Sequence, residues 1–139
     1  MNKLIKFEIP GKVKAKQSFK IGRNGFKYTP SDMKEYANWV RLCFKYVYPE
    51  HLPSVFYETP LKMIINVSFA IPKSFSKKKR EQALKGEIKP MVKPDCDNIS
   101  KNICDALNGI AFPDDKQIVT LEVNKFYADE EKAEVTIYD

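Results

Sequence analysis

Residues 61–71, LKMIINVSFAI, set Leu61, Met63, Ile65, Val67, Phe69 and Ile71 on one side of an extended chain. Successive side chains of a strand point to opposite faces, so apolar residues at a spacing of two mark a strand with one face turned to a core. A helix is expected upstream of it. Thr29 suits the capping position, Pro30 the first helical position and Asp32 the first turn. Tyr36, Trp39, Val40, Cys43, Phe44 and Val47 then recur at helical spacing until Pro49. This aromatic stripe is expected in the core rather than stacked on bases. The 139 residues are about one domain's worth, and nothing in them repeats or reads as a linker. The expected fold is α+β: a single small domain over residues 1–139, with a mixed or antiparallel sheet packed against helices.

The remaining elements follow from local signals. Residues 3–9 alternate as a strand that ends at Pro10-Gly11, and 12–28 read as a hairpin around Gly22-Arg23-Asn24-Gly25. A strand there puts Lys12, Lys14 and Lys16 on one face. Residues 49–60 form a Pro-containing connection in which His51 is expected to be exposed. SFSKKKREQALKG reads as a short basic helix capped by Ser76 or Ser74 and ended by Gly86, and prolines keep 87–94 extended. A strand over 118–123 is expected to pair with 133–138 as an antiparallel hairpin closed across Asp129-Glu130-Glu131.

Charge is divided along the chain. Residues 1–30 carry a net +7 and 73–93 a net +6, whereas 94–139 carry −7. Basic segments attract a polyanion by neutralising phosphates and releasing counterions. Lys12, Lys14 and Lys16 in one block, and Lys77, Lys78, Lys79 and Arg80 in the other, are the candidate DNA contacts. An acidic block beside them repels a polyanion unless a cation sits among its carboxylates, and Mg²⁺ or Mn²⁺ suits oxygen ligands. Charge alone leaves a merely segregated polar surface equally open. No apolar run approaches the ~20 residues of a membrane-spanning helix, and the N-terminus lacks a signal-peptide core. Cys43, Cys96 and Cys104 are odd in number and lack metal-type spacing, which fits reduced thiols in a cytoplasm. A lone His51 argues against histidine metal sites and Ser-His-Asp catalysis.

The most informative stretch is PDCDNISKNICDALNG, residues 94–109. Asp97 is expected to cap a helix that runs to Asn108 and stops at Gly109. Ile99, Ile103, Ala106 and Ile110 follow the core spacing of that helix, while Asp97, Lys101 and Asp105 line its polar side. Asp95 points the same way as Asp97 if the preceding segment is extended. A short turn then leads to Asp114-Asp115 and the next strand, so either carboxylate can return beside Asp95 and Asp97. Three carboxylates and a lysine suit metal-dependent phosphodiester hydrolysis, in which bound metal activates water and the ammonium meets charge developing on the phosphate. A calcium loop counted from Asp95 fails, with Ile99 and Ser100 at its fifth and sixth positions and Ala106 at its twelfth. Singly, each feature has an ordinary structural role: a cap at Asp97, an Asp97–Lys101 ion pair, a polar turn at Asp114-Asp115. Their combination is the signal. Cys96 is expected to pack inward.

This stretch, with Pro113-Asp114-Asp115-Lys116-Gln117-Ile118 after it, resembles the core motif of the RusA-type Holliday junction resolvases: Asp-x-Asp-Asn-x-x-Lys, then Asp-Ala-Leu, then Asp-Asp-x-Gln leading into a strand. Residues 93–118 match closely, and weaker likeness covers most of the chain. The resemblance implies a small α+β homodimer that resolves four-way DNA junctions with Mg²⁺, Mn²⁺ being a possible substitute. By motif position it makes Asp95, Asp97 and Asp115 the metal ligands and Lys101 the catalytic lysine, with Asp114 secondary. The family's early Gly-x-Pro-x-x-Lys-x-Arg-Pro is matched here by Gly11-Lys12-Val13-Lys14-Ala15-Lys16-Gln17-Ser18, which keeps the lysine at 16 but lacks the proline and arginine. A two-fold dimer presents two equivalent sites to a nearly two-fold junction. Exposed apolar faces of the 61–71 strand or the 30–48 helix are the candidate interfaces.

The expected function is thus a Mg-dependent, structure-selective endonuclease of DNA recombination and repair, in a bacterial cytoplasm, with a phage or prophage gene as an open alternative. The competing functions are a non-catalytic branched-DNA-binding protein and a metal-dependent small-molecule phosphohydrolase.

Overall fold

The computed structural model describes residues 2–14, 20–21, 27–28 and 31–139, the side chains of 20–21, 27–28 and 31–34 excepted. Along the chain come strands β1 (Lys3–Pro10), β2 (Lys20–Ile21) and β3 (Lys27–Tyr28), helix α1 (Ser31–Val47), strand β4 (Leu61–Ala70), helices α2 (Lys77–Leu84) and α3 (Cys96–Leu107), and strands β5 (Ile118–Ala128) and β6 (Lys132–Tyr138). Two 3₁₀ turns, Pro53–Phe56 and Asp115–Gln117, lead into β4 and β5. β2 and β3 pair antiparallel through Lys20↔Tyr28 and Ile21↔Lys27, in line with the expected hairpin, whose turn at Gly22-Arg23-Asn24-Gly25 lies outside the described residues. Residues 12–14 are not in a strand, yet Val13 is buried while Lys12 and Lys14 are exposed, so the alternation survives. Lys16 lies outside the described residues.

The main sheet is mixed, in the order β1-β6-β4-β5. β4 pairs parallel with β5, and β6 lies antiparallel between β1 and β4. A parallel pair requires a crossover connection, and here it runs through α2 and α3. Alternation puts Ile5, Phe7 and Ile9 of β1, Leu61, Met63, Ile65 and Val67 of β4, and Val135 and Ile137 of β6 into one core. Tyr36, Val40 and Phe44 of α1 and Ile99, Ile103, Ala106 and Leu107 of α3 are buried in the same cluster. The opposite sheet face is polar, with Lys132–Glu8 at 2.9 Å, Lys6–Glu134 at 3.7 Å and Asn124 donating to Asn66 at 2.9 Å.

Four sequence expectations need correction. The 118–123 and 133–138 strands do not form a hairpin, because β4 lies between them. The 129–131 link spans two strand spacings, about 10 Å, which three residues can reach. Ser68 near the end of β4 clasps it, donating to Glu130 O at 2.6 Å and accepting from Lys132 N at 3.1 Å. The apolar face of β4 is core, which removes it as an interface. The α1 stripe divides: Tyr36, Val40 and Phe44 pack inward, but Trp39 and Val47 are half exposed beside exposed Leu42 and Tyr46. Trp39 still has a role, donating from Nε1 to Pro10 O at 2.7 Å. Finally, His51 is half-buried among Phe44, Tyr48 and Phe56, with Nε2 2.7 Å from Ala111 O. No described helix is long and apolar enough to cross a membrane.

Candidate active site

The site begins where α3 begins. Pro94 is buried and delivers the chain to Asp95, which has extended backbone (φ −68°, ψ 155°) at the N-cap position. The helix therefore starts two residues earlier than the Asp97 cap read from the sequence. Asp97 stands in the first turn, where a carboxylate also complements the positive end of the helix dipole. Neither carboxylate is spent on the cap. Asp95 makes no side-chain capping bond, and Ser100 Oγ donates to the Asp97 carbonyl at 2.9 Å rather than to its side chain. Asp97 and Lys101 are one turn apart and exposed, but they form no ion pair. The ordinary structural duties available to these residues are thus left unfilled.

Asp114 and Asp115 diverge. Asp114 caps the 3₁₀ turn: its carboxylate accepts from Lys116 N at 2.9 Å, and its own N–H donates to Gln117 Oε1 at 3.0 Å. Gln117 Nε2 reaches across to the carbonyls of Phe56 and, at 3.1 Å, Thr59. Asp115 is exposed, and its carboxylate turns toward α3. It shares with Lys101 and Asp105 a cleft of about 230 Å³ walled by Cys104, Ile118 and Leu121. Its N–H donates to Asn108 Oδ1 at 2.9 Å. Burial first, and the Asp115 carboxylate second, push the Cys104 thiol up to about 11, so this cysteine is not a nucleophile at neutral pH. Asp105 belongs to the cleft although the sequence motif alone did not single it out for a role; its i+4 spacing from Lys101 was the available signal. Cys96, expected inside, is exposed, with Sγ 3.9 Å from Val123 O.

The structure brings Lys101 and Asp115 into one cleft and leaves Asp95 and Asp97 at the head of the same helix. Among the described residues no three His, Cys, Asp or Glu side chains converge as an ion-holding group. The donor chemistry nevertheless suits a hard cation: Asp95, Asp97 and Asp115 are exposed carboxylates with no side-chain cap bond or ion pair among the described residues, and Lys101 adds an ammonium. Mg²⁺ keeps several waters and needs few protein ligands.

Basic residues beyond α3 stand on two elements. The chain at 12–14 is fastened to it, for Asn102, almost fully buried, donates from Nδ2 to Lys14 O at 2.8 Å. Lys77, Lys78, Lys79 and Arg80 are exposed on α2, whose N-cap Ser76 accepts from Lys79 N at 3.2 Å. Lys79 lies 4.2 Å over the Phe75 ring, and Arg80 is 3.8 Å from Asp129. Both keep a charge for solvent or phosphate but are already oriented. A larger cleft, about 630 Å³ between β1 and α1, is apolar and lies apart from the carboxylates; Trp39, Leu42, Tyr46 and Val47 help to line it.

Comparison with known proteins gives the family. A family model described as endodeoxyribonuclease RusA matches residues 10–138. The chain is also similar to the uncharacterized protein YqaN of Bacillus subtilis (strain 168), at 41% identity over 110 residues, which cover 78% of this chain and 75% of that protein.

Proposed function

Since the chain belongs to the endodeoxyribonuclease RusA family, we propose that it is a Mg²⁺-dependent, structure-selective endodeoxyribonuclease that resolves Holliday junctions by paired nicks in DNA recombination and repair. The observation that carries this reading is the pairing of Lys101 and Asp115 in one cleft on α3, the helix whose first turn holds Asp97 and whose N-cap is Asp95.

The roles follow from chemistry. Asp95, Asp97 and Asp115 are the residues that would hold the divalent ion, while Asp114 acts through the turn that carries Asp115. When bound, the ion supplies an activated water and charge stabilisation on the attacking and leaving oxygens. Lys101 offers an ammonium to the non-bridging oxygens of the scissile phosphate, where charge develops in the transition state. Exposed lysines at 12 and 14 and on α2 hold neighbouring phosphates, which positions the branch without reading sequence. Lys16, outside the described residues, is proposed as a further DNA contact on the family resemblance alone. The protein acts as a homodimer in a bacterial cytoplasm, with one site per protomer and a two-fold relation that suits opposed strands.

The test is a synthetic four-way junction with and without Mg²⁺. Wild type should give symmetric paired nicks. Asp97→Asn should lose about 10³-fold or more in cleavage rate, several kcal/mol of charge stabilisation, with junction binding kept. Lys101→Ala should lose about 10²-fold in rate with little loss of affinity, since one phosphate contact among many is a small part of binding. Wild-type cleavage by Asp97→Asn would overturn the assignment and leave a binding protein in its place.

A further inference from the structure

Resting on the reading above that Asp115 is a metal ligand, we propose that Asn108 is a positioning residue that registers this carboxylate against α3. A ligand set divided between a helix and a separate turn works only if the two supports hold a fixed relation, because first-shell geometry tolerates shifts of about half an ångström. Asp97 and Lys101 stand on α3, whereas Asp115 stands on a three-residue 3₁₀ turn beyond it. The bonds made by Asp114 and Gln117 close that turn and tie it to the carbonyls of Phe56 and Thr59, which are remote from α3 in the chain. Among the side-chain hydrogen bonds of the described residues, the contact that joins the Asp115 backbone to α3 is Asp115 N–H to Asn108 Oδ1, at 2.9 Å.

The conformation of Asn108 does not explain an asparagine there. Asparagine after a helix commonly serves because it tolerates left-handed backbone, but Asn108 is extended (φ −61°, ψ 125°) and the left-handed residue is Gly109 (φ 74°). Its side chain is exposed, so core packing does not require it. What the amide does is accept the Asp115 N–H. Partners that orient metal ligands from outside the coordination sphere change metal affinity by 10- to 100-fold when removed.

Calorimetric titration of the intact protein with Mn²⁺, alongside junction binding in EDTA, tests the inference. Asn108→Ala should weaken Mn²⁺ binding about tenfold and raise the Mg²⁺ concentration for half-maximal cleavage in step, while metal-free junction affinity changes less than about twofold, since no phosphate contact is removed. Asn108→Asp, which keeps an oxygen acceptor at the same reach, should restore most of the Mn²⁺ affinity. If Asn108→Ala binds Mn²⁺ like wild type while Asp115→Asn loses it, the positioning role is wrong and the site reading stands. If Asp115→Asn itself binds Mn²⁺ and cleaves normally, both fail.

Discussion

Two adjacent and chemically identical residues show how hydrogen bonding assigns different work. Asp114 is half-buried and spends its carboxylate on the Lys116 N–H, whereas Asp115 is exposed and presents its carboxylate to the Lys101 cleft. Removing a cap of this kind costs about 1 kcal/mol, so Asp114→Ala should lower the thermal midpoint by several degrees and reduce cleavage only as the turn loosens. Asp115→Ala should leave stability within about 0.5 kcal/mol, as for other exposed positions, and abolish cleavage. Thermal melts and junction assays on the same preparations check this, and the opposite pattern would exchange the two roles. The thiols divide in the same way. Burial raises Cys43 and pushes Cys104 up to about 11, the nearby Asp115 carboxylate adding to the latter, while Cys96 is exposed. A raised thiol pKa means less thiolate at pH 8, so folded protein should take up one alkyl group quickly, at Cys96. Labelling of Cys104 should rise only as pH approaches 11; mass spectrometry after timed alkylation reads this directly, and equal labelling of Cys96 and Cys104 at pH 8 would contradict it.

At the level of elements, α3 is the frame of the site. Its buried face of Ile99, Ile103, Ala106 and Leu107 fixes its rotation, and Arg41 of α1 donates from Nε to its Ala106 carbonyl at 3.0 Å. With that face buried, Asp97, Lys101 and Asp105 turn outward. This much was legible beforehand, because a 3.6-residue period records which side of a helix is buried. The pairing of β5 was not. Alternating residues separated by Asp129-Glu130-Glu131 read as a hairpin, and local sequence carries no mark of a third strand lying between its arms. What distinguishes the real topology is Ser68, distant in sequence, which is buried and clasps the link on both sides. Ser68→Ala should therefore cost about 1–3 kcal/mol by leaving polar backbone groups unpaired, measured by urea unfolding; an unchanged midpoint would show that water replaces the clasp. The two-residue offset of the α3 cap has a similar origin. Both Asp95 and Asp97 are good capping residues, and the choice between them is set by buried Pro94 and by the packing of Ile99, not by capping preference. The exposure expected of His51 fails because its neighbours in the chain look like a loop, while its neighbours in space are the rings of Phe44, Tyr48 and Phe56.

At the scale of the molecule, the carboxylates of α3 and the apolar cleft beside α1 lie on different parts. The basic arm at 12–14 is fastened to α3, and the basic helix α2 packs against β5, the strand that α3 also meets. An arm pinned by buried Val13 and by the Asn102–Lys14 bond keeps its cations at a fixed distance from the helix that holds Lys101. The apolar cleft between α1 and β1 is elsewhere, and there β1 is an edge strand. Its edge is partly closed by side chains of α1 and of the residue that follows it: Lys6 N–H donates to Tyr48 Oη at 2.9 Å, and Trp39 of α1 covers the Pro10 carbonyl. Strand-to-strand extension is thereby hindered, but exposed Leu42 and Tyr46 still stand beside a concave apolar surface. Paired nicking requires two sites, and a two-fold contact must be self-complementary; a projecting tyrosine next to a cleft on the same face has that property. With the apolar face of β4 closed into the core, this is the one of the two sequence-derived interface candidates that remains. Leu42→Glu combined with Tyr46→Glu should then convert a dimer to a monomer in sedimentation at micromolar concentration. Stability should change little, each exposed position contributing within about 0.5 kcal/mol. On a four-way junction the double variant should make uncoupled single nicks in place of paired ones. A double variant that still sediments as a dimer would move the interface away from α1, and paired nicking by a proven monomer would remove the need for a second copy.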